Sequence, residues 1–281
     1  MDNLLSIAVS SCGKKDLTEK GFLSMQENKI EAIEISLGNY DDFDFKAVKE
    51  NADKYGIKLW SMHLPFMPFS EIDPSATDFM LKFKTLKLFS ELIKKGSEIG
   101  IDKFIIHPSG EPIPDDKREE KMLSSMSSLY RLAEIASNEG STICVENLPR
   151  TCLGKNSKEM IRLTSVHKDL RICFDTNHLL CEDAIDFINK VGKKIVTLHV
   201  SDYDFKNERH WLPGEGDVDW QKLYKALLDV GYKGPWLYEV SFNPESTIDR
   251  RALTYSDFYK NAMEIMNGNK PTAIGVRKDN L

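Results

Sequence analysis

The sequence ICFDTNH at residues 172–178 is a short apolar run that ends in an aspartate and a histidine. Three runs of the same kind lie near it in the second half of the chain: ICVEN at 143–147, VTLHVSD at 196–202 and WLYEVS at 236–241. Runs rich in β-branched and aromatic residues are typical of strands buried on both faces. Each run therefore predicts a buried strand with an ionisable side chain at its C-terminal end.

Apolar runs alternate with amphipathic stretches along the whole chain, which predicts repeated βα units. The predicted strands are residues 4–9, 32–36, 58–63, 103–107, 142–146, 171–174, 195–200 and 236–240. Helices are predicted near residues 17–28, 43–55, 220–230 and 248–266. Two more are predicted to end near residues 99 and 137, and another begins near the cap candidate Ser157. Gly56 and Gly100 are the expected stops of the second and third helices.

Eight βα pairs favour the α/β class and a single closed (β/α)8 TIM barrel, whose active residues lie at the C-terminal rim. A doubly wound open sheet is the alternative, but the chain has no G-x-G-x-x-G or Walker motif. We assign residues 1–267 to the barrel and 268–281 to a polar C-terminal tail that is mobile or lies on the surface.

The composition bounds the function class. The chain has 281 residues, 41% of them hydrophobic, and a net charge of −6, which makes nucleic acid an unfavourable partner. Its five cysteines form no C-x-x-C pair, so we interpret them as structural thiols. No basic leader and no membrane-length apolar stretch is present, so we expect a cytoplasmic protein with no membrane association.

In a barrel, an ionisable residue stands at the end of each strand from the second to the eighth. Buried unpaired carboxylates are costly, so their repetition indicates a shared cation. The mixed oxygen and nitrogen ligands suit Mn, Zn, Mg or Co without choosing among them. Taken singly, His63 or His107 can be a structural histidine, and Glu34 can be a barrel-core carboxylate instead of a partner of substrate hydroxyls. The strand-end residues are Glu34, His63, His107, Glu146, Asp175, His199 and Glu239.

The phrases VEN, FDTNH, LHVSD, PGEGDVDW and YEV, in this order, resemble the xylose isomerase-like TIM-barrel superfamily over nearly the whole chain. This superfamily includes sugar isomerases and epimerases similar to tagatose and psicose 3-epimerase, and zinc-dependent apurinic-site endonucleases. The epimerase resemblance implies an isomerase or epimerase of a small sugar or sugar phosphate that works through a metal-stabilised enediolate. It implies one divalent metal held by Glu146, Asp175, His199 and Glu239, with Glu146 and Glu239 also acting as acid and base.

The endonuclease resemblance implies up to three zinc ions, with His63, His107, His178 and the pair Glu208 and His210 as additional ligands. Glu208 departs from that pattern, because an aspartate is expected there. The acidic chain, the apolar stretch LPFMPF at 64–69 and the absence of clustered lysine and arginine on the rim loops favour a small pocket over a DNA clamp. A non-catalytic metal- or sugar-binding barrel is a third hypothesis. The sequence does not decide whether the chain forms a homo-oligomer.

The long segment 203–220, YDFKNERHWLPGEGDVDW, is expected to fold over the barrel mouth. In this interpretation Gly214 and Gly216 give the backbone freedom and Trp211 offers an apolar face to the sugar. Arg209 and His210 are candidates for hydroxyl or phosphate contacts. The alternative is a structural Ω-like loop with Trp220 packed in the next helix.

Overall fold

The computed structural model describes residues 4–11 and 13–278 and contains eight parallel strands that follow chain order around one barrel. The ring closes where Val200 bridges Tyr238 in parallel, with backbone hydrogen bonds of 2.8 Å to Leu237 and 3.1 Å from Glu239. The predicted (β/α)8 TIM barrel is confirmed. The strands are β1 (Ile7–Ser10), β2 (Ala32–Ser36), β3 (Lys58–His63), β4 (Lys103–Ile106), β5 (Thr142–Glu146), β6 (Arg171–Asp175), β7 (Ile195–His199) and β8 (Trp236–Tyr238).

One α-helix follows each strand. The sequence pattern did not predict a helix between β6 and β7. A short helix lies there, and the side chain of Asp183 caps it by accepting hydrogen bonds from the backbone N–H groups of Ile185 and Asp186. Within the described residues, no helix has the length and hydropathy needed to cross a membrane. The helices are α1 (Glu19–Glu27), α2 (Phe45–Tyr55), α3 (Phe79–Glu98), α4 (Arg118–Asn138), α5 (Ser157–Leu163), α6 (Ala184–Val191), α7 (Trp220–Asp229) and α8 (Tyr255–Met266).

Several element boundaries differ from the prediction. Helix α8 begins at Tyr255 and not near residue 248, because Ile248–Asp249 forms strand β9, antiparallel to strand β10 (Val276–Arg277) in the C-terminal tail. The cap of α5 is Asn156, one residue before the expected Ser157. Gly56, with φ of 67°, and Gly100, with φ of 88°, end their helices in the left-handed region as expected. Cys12 and residues 279–281 lie outside the described residues.

The barrel interior is filled by small clusters separate from the main core, which lies between strands and helices. One cluster joins Ala8, Ala32 and Leu237 with the partly buried Trp60, and another joins Ile105, Cys144 and Cys173 with Val196. Side chains alternate in and out along a barrel strand, so these residues form layers below the rim. The ionisable residues at the strand ends therefore lie above an apolar floor.

Candidate metal centre at the barrel mouth

Four of the predicted metal ligands converge at the C-terminal rim. Glu146 ends β5, Asp175 ends β6, His199 ends β7 and Glu239 directly follows β8. The strand register sets Asp175 beside His199, and all these parallel strands end at the same rim. One ligand atom from each of the four residues lies within 4.8 Å of the others. The predicted group is therefore a spatial cluster in the structure.

His199 is the centre of this cluster. Its Nδ1 lies 3.0 Å from Glu146 Oε1 and 3.4 Å from Glu239 Oε2, and its Nε2 lies 3.0 Å from Glu34 Oε1. A neutral imidazole carries one N–H, and if that group is donated to Glu34, the lone pair of Nδ1 faces the remaining carboxylates. A histidine that donates one ring N–H to a buried carboxylate is thereby oriented to bind a metal ion through its other ring nitrogen.

Asp175 tests whether the site fits a cation. Its Oδ1 accepts a hydrogen bond of 2.6 Å from the backbone of Asn177, but Oδ2 is buried and has no hydrogen-bond partner among the described residues. Burial raises the pKa of Asp175 well above its ordinary value, and the nearby carboxylates of Glu239 and Glu146 act in the same direction. A buried oxygen without a donor is costly, and a divalent cation would supply its partner. The donor set fits a metal ion.

Glu146 also belongs to a second cluster. Its Oε2 lies 3.1 Å from His63 Nε2 and 3.2 Å from His107 Nε2, and ligand atoms of the three residues lie within 4.8 Å of one another. His63 Nδ1 lies 2.7 Å from the carbonyl of Leu64, which leaves Nε2 to face Glu146. Burial alone would raise the pKa of Glu146, but the surrounding histidines hold it well below its ordinary value. Glu146 is thus shared between two groups of ligand-type residues.

His178 leads to an ion-pair chain at the rim. Its Nδ1 lies 2.9 Å from the carbonyl of Asn147 and its Nε2 lies 3.0 Å from Glu208 Oε1. Burial opposes ionisation of Glu208, but the hydrogen bond from His178 lowers its pKa to about 2. Glu208 also pairs with Arg150, whose other side binds Glu111 at 2.7 Å.

Sequence reasoning did not identify Arg150 or Glu111. Both lie in loops after strands, and their pairing depends on how three loops meet. In the structure, the backbone of Arg150 has φ of 52°, in the left-handed region that a non-glycine residue rarely adopts. The sequence does not reveal such an angle, so it carries no local signal for this residue.

A cavity of about 320 Å³ opens above the two clusters. Its wall includes Phe66, Met67 and Phe69 from the stretch LPFMPF, and the ring of Phe66 stacks on His107 with centroids 4.3 Å apart. The predicted residues that line it are His63, His107, Glu146, His178, Glu208, His210 and Glu239. Apolar walls and a few convergent polar groups are typical of small-molecule sites.

Five predicted site residues are not part of this cavity wall: Asp175 and His199, which belong to the four-residue cluster, and Glu34, Trp211 and Arg209. Glu34 is completely buried and accepts from Ser10 and Ser61, at 3.1 and 2.7 Å, so it occupies the barrel-core position. Trp211 is 3% exposed, because its indole N–H donates to Thr247 and its ring packs beside an arginine. That arginine, Arg209, bonds Asp204 at 2.9 and 2.8 Å.

Asp202, which precedes the long loop 203–220, fixes the conformation of that loop through hydrogen bonds. Asp202 accepts from the backbone of Gly214 and Val218 and from the indole of Trp220, at 2.7, 3.2 and 2.9 Å. A Cβ on Gly216 would lie 2.0 Å from Asp202 Oδ1, so this glycine is needed for close packing and not for freedom. These contacts agree with the structural-loop alternative, while His210, with φ of 44°, still reaches the cavity.

The fold and site define a TIM barrel with a strand-end cluster suited to a metal ion. A family profile of the xylose isomerase-like TIM barrel matches residues 22–256, and the chain belongs to this family.

Individual relatives are distant. The chain is 24% identical to an uncharacterised protein of Methanocaldococcus jannaschii over 233 residues, which cover 80% of this chain and 76% of that protein. It is 25% identical over 242 residues to the D-psicose 3-epimerase of Ruminiclostridium cellulolyticum, covering 81% and 78%. The solved structure of a D-tagatose 3-epimerase-like protein matches with a TM-score of 0.76 and 21% identity, covering 94% of this chain and 98% of that chain. That structural match shows the shared fold.

Proposed function

We propose that the protein is a divalent-metal-dependent isomerase or epimerase of a small sugar. The observation that carries this proposal is the group Glu146, Asp175, His199 and Glu239, whose ligand atoms lie within 4.8 Å of one another and of which Glu146 and Glu239 line the cavity. The buried, unpartnered Oδ2 of Asp175 supports a cation at this group. The similarity to a D-psicose 3-epimerase over most of both chains supports a ketose as substrate.

The two glutamates are proposed as the groups that move the proton. Glu146 reaches the cavity from β5 and Glu239 from β8, and both approach Nδ1 of His199. Carboxylates on two different strands can remove a proton from one side of a carbon and return it from another. When bound, a divalent metal would polarise the carbonyl and neighbouring hydroxyl oxygens of the sugar. The side chain of Glu239 is 25% exposed, which gives substrate direct access to it.

The other residues of the mouth are proposed to orient the sugar and exclude water. Phe66, Met67 and Phe69 form an apolar wall that can cover a ring or chain of carbons. His107 and His210 line the same cavity and can exchange hydrogen bonds with hydroxyl groups. A site with one apolar wall and several imidazoles is matched to a polyhydroxylated compound of small size.

The experiment combines metal analysis with solvent-deuterium labelling. Gently purified protein is analysed for bound metal, and ketoses such as D-psicose, D-tagatose and D-fructose are incubated with it in D2O. We expect about one divalent ion per chain and deuterium at the epimerised carbon, because proton transfer through a carboxylate exchanges with solvent. Turnover without deuterium would point to a hydride shift, and no turnover of any sugar would remove the proposed function.

Variants assign the roles. Glu146→Gln and Glu239→Gln are expected to lower turnover by at least about 10³-fold, since each removes an acid–base group and a ligand. Glu71→Gln, outside this cavity, is the control and is expected to keep full activity. Retained exchange in both site variants would exclude the proton-transfer roles.

A second candidate function is a multi-zinc phosphodiesterase acting at abasic sites. The second group, His63, His107 and Glu146, favours it, because it offers another set of ligands beside the first. It predicts two or three zinc ions per chain and cleavage of an abasic duplex that is lost in His63→Ala and His210→Ala. No cleavage at any zinc loading would exclude it.

A further inference from the structure

Arg150 bridges two carboxylates at the cavity mouth. Its Nη2 binds Glu111 Oε1 at 2.7 Å, and its Nη1 binds Glu208 Oε2. Glu111 lies in the loop after β4, Arg150 in the loop after β5 and Glu208 in the loop after β7. Glu208 is held in turn by His178 at 3.0 Å. The bridge Glu111–Arg150–Glu208, named the rim bridge here, thus joins three loops across the mouth.

The rim bridge engages the guanidinium of the cavity wall. Among the described residues that line it, Arg150 is the only lysine or arginine, whereas four glutamates line the same space: Glu111, Glu146, Glu208 and Glu239. Arg209, in the loop after β7, is 9% exposed and its guanidinium is bonded to Asp204. Each terminal nitrogen of Arg150 is paired with a carboxylate, so the positive charge of the guanidinium is already neutralised where an incoming anion would approach.

A phosphate ester would therefore meet an unfavourable rim. At Arg150 the ester would compete with Glu111 and Glu208 for the same guanidinium, and both carboxylates would repel the incoming dianion. Elsewhere along the wall, the described lining offers a dianion no second lysine or arginine and places it close to several carboxylates. An uncharged hydroxymethyl end of a sugar faces neither cost.

We propose that the rim bridge is the specificity-determining element of the site, and that it selects uncharged sugars over their phosphate esters by keeping Arg150 neutralised. This inference rests on the proposed sugar-converting function and narrows its substrate class. Arg150 is then a latent phosphate-binding group that the two glutamates mask. Removing one glutamate unmasks it.

Equilibrium binding tests the proposal without depending on turnover. Calorimetry with D-fructose and D-fructose 6-phosphate gives the ratio of the two affinities for the metal-supplemented wild-type protein, Glu111→Ala, Glu111→Gln and the double variant Glu111→Ala/Arg150→Met. The wild type is expected to bind fructose at least about tenfold more tightly than the ester. Glu111→Ala should shift this ratio toward the ester by about tenfold, the size expected when one charge-assisted bidentate contact becomes available. Glu111→Gln should give a smaller shift in the same direction.

The double variant distinguishes the masked arginine from a general loss of negative charge. It is expected to return the ratio of the two affinities to the wild-type value, because Arg150, the group that would bind the phosphate, has been removed. Equal shifts in the single and double variants, or no shift in either single variant, would overturn the proposal. A wild type that prefers the ester and epimerises it would overturn the proposal but leave the proposed function in place. A protein that neither binds nor converts either sugar would remove both.

Discussion

His199 Nε2 lies 3.0 Å from Glu34 Oε1, and both side chains are completely buried at the floor of the site. Ser10 and Ser61 donate to the two oxygens of Glu34 from the neighbouring strands β1 and β3. Glu34 is therefore fixed on three sides and can in turn fix the ring of His199. It acts on the candidate metal group through the histidine and has no place in the cavity wall.

Glu34→Gln is expected to weaken divalent-metal binding by about 10–100-fold, because a neutral amide polarises the imidazole less than a carboxylate does. Chelator competition monitored by calorimetry measures the affinity directly. Glu31→Gln is the control, since Glu31 lies just before the start of the same strand, away from the site, and its side chain accepts a hydrogen bond of 3.2 Å from the backbone N–H of Ile7. Equal metal affinity in Glu34→Gln and wild type would refute the orienting role.

Substituting Asp175 is expected to have opposite effects on the thermal stability of the metal-free and the metal-loaded protein. Its Oδ2 is buried without a hydrogen-bond partner among the described residues, so Asp175→Asn removes a costly group when no metal is present. We expect the metal-free variant to melt at or above the wild-type temperature. We also expect it to lose most of the stabilisation that metal gives the wild type, because binding to the folded state alone raises stability. Thermal unfolding with and without added Mn²⁺ measures both, and equal metal stabilisation in the two proteins would remove Asp175 from the ligand set.

The strand-end residues could be predicted from sequence for a simple reason. A parallel barrel brings the C-terminal end of every strand to one rim, so Glu146, Asp175 and His199 meet once their strands are identified. The roles of Trp211 and Arg150 could not be predicted in this way. Their positions depend on contacts between loops distant in sequence, such as Arg150 with Glu111 and Glu208. Hydrophobic periodicity carries no information about those contacts.

Short elements were missed for a related reason. Helix α6 is only eight residues long, and strands β9 and β10 are two residues each. Elements of this length give too few repeats for a period to be recognised. The pairing of β9 with β10 also joins residues far apart in the chain. Because Ile248–Asp249 belongs to this pair, α8 begins at Tyr255 and not at the predicted residue 248.

Gly216→Ala is expected to destabilise the loop after β7 severely. The added Cβ would lie 2.0 Å from Asp202 Oδ1 and 2.5 Å from the carbonyl of Tyr203, so the hydrogen bonds that Asp202 accepts would be broken. We expect a loss of about 2–4 kcal/mol in the free energy of unfolding, measured in urea. Gly38→Ala is the matched control, because nothing lies within 4 Å of its Cβ. Similar losses in both variants would contradict a role for close packing at Gly216.

Asp257 predicts a pH-dependent contribution to stability at the start of α8. Arg251 donates to its two oxygens at 2.7 and 2.8 Å, and the backbone of Thr254 donates at 2.8 Å. The side-chain hydrogen bond from Arg251 is the largest cause of the fall in the pKa of Asp257, from 3.8 to about 2. The ionised form is therefore favoured by folding. Its contribution is complete above the unfolded pKa near 3.8 and is lost as the pH falls through about 2.

Asp257→Asn is accordingly expected to lower the free energy of unfolding by about 1–2 kcal/mol at pH 7 and by about half as much at pH 3. The value at pH 7 is reduced because Arg251 is exposed to solvent, which screens the pair. Urea unfolding between pH 7 and pH 3 measures the difference. Asp53→Asn, in an exposed pair with Lys49 on α2, is the control and should cost less than about 0.5 kcal/mol. A cost for Asp257→Asn that stays constant with pH would mean that charge does not carry the effect.

Arg277, in the C-terminal tail, is expected to secure the loop that carries His210 into the cavity. Its Nε donates to the carbonyl of Glu215 at 2.7 Å, its two Nη atoms bind Asp217 at 3.0 and 2.7 Å, and its guanidinium lies 5.3 Å from the ring of Trp211, next to His210. Arg277→Ala should therefore raise amide hydrogen exchange in residues 204–218 by about tenfold, since these contacts resist local opening. Lys278→Ala is the control, because Lys278 bonds Thr247 through its backbone N–H, which the substitution keeps. Unchanged exchange in Arg277→Ala, or an equal rise in both variants, would show that the loop is held without this arginine.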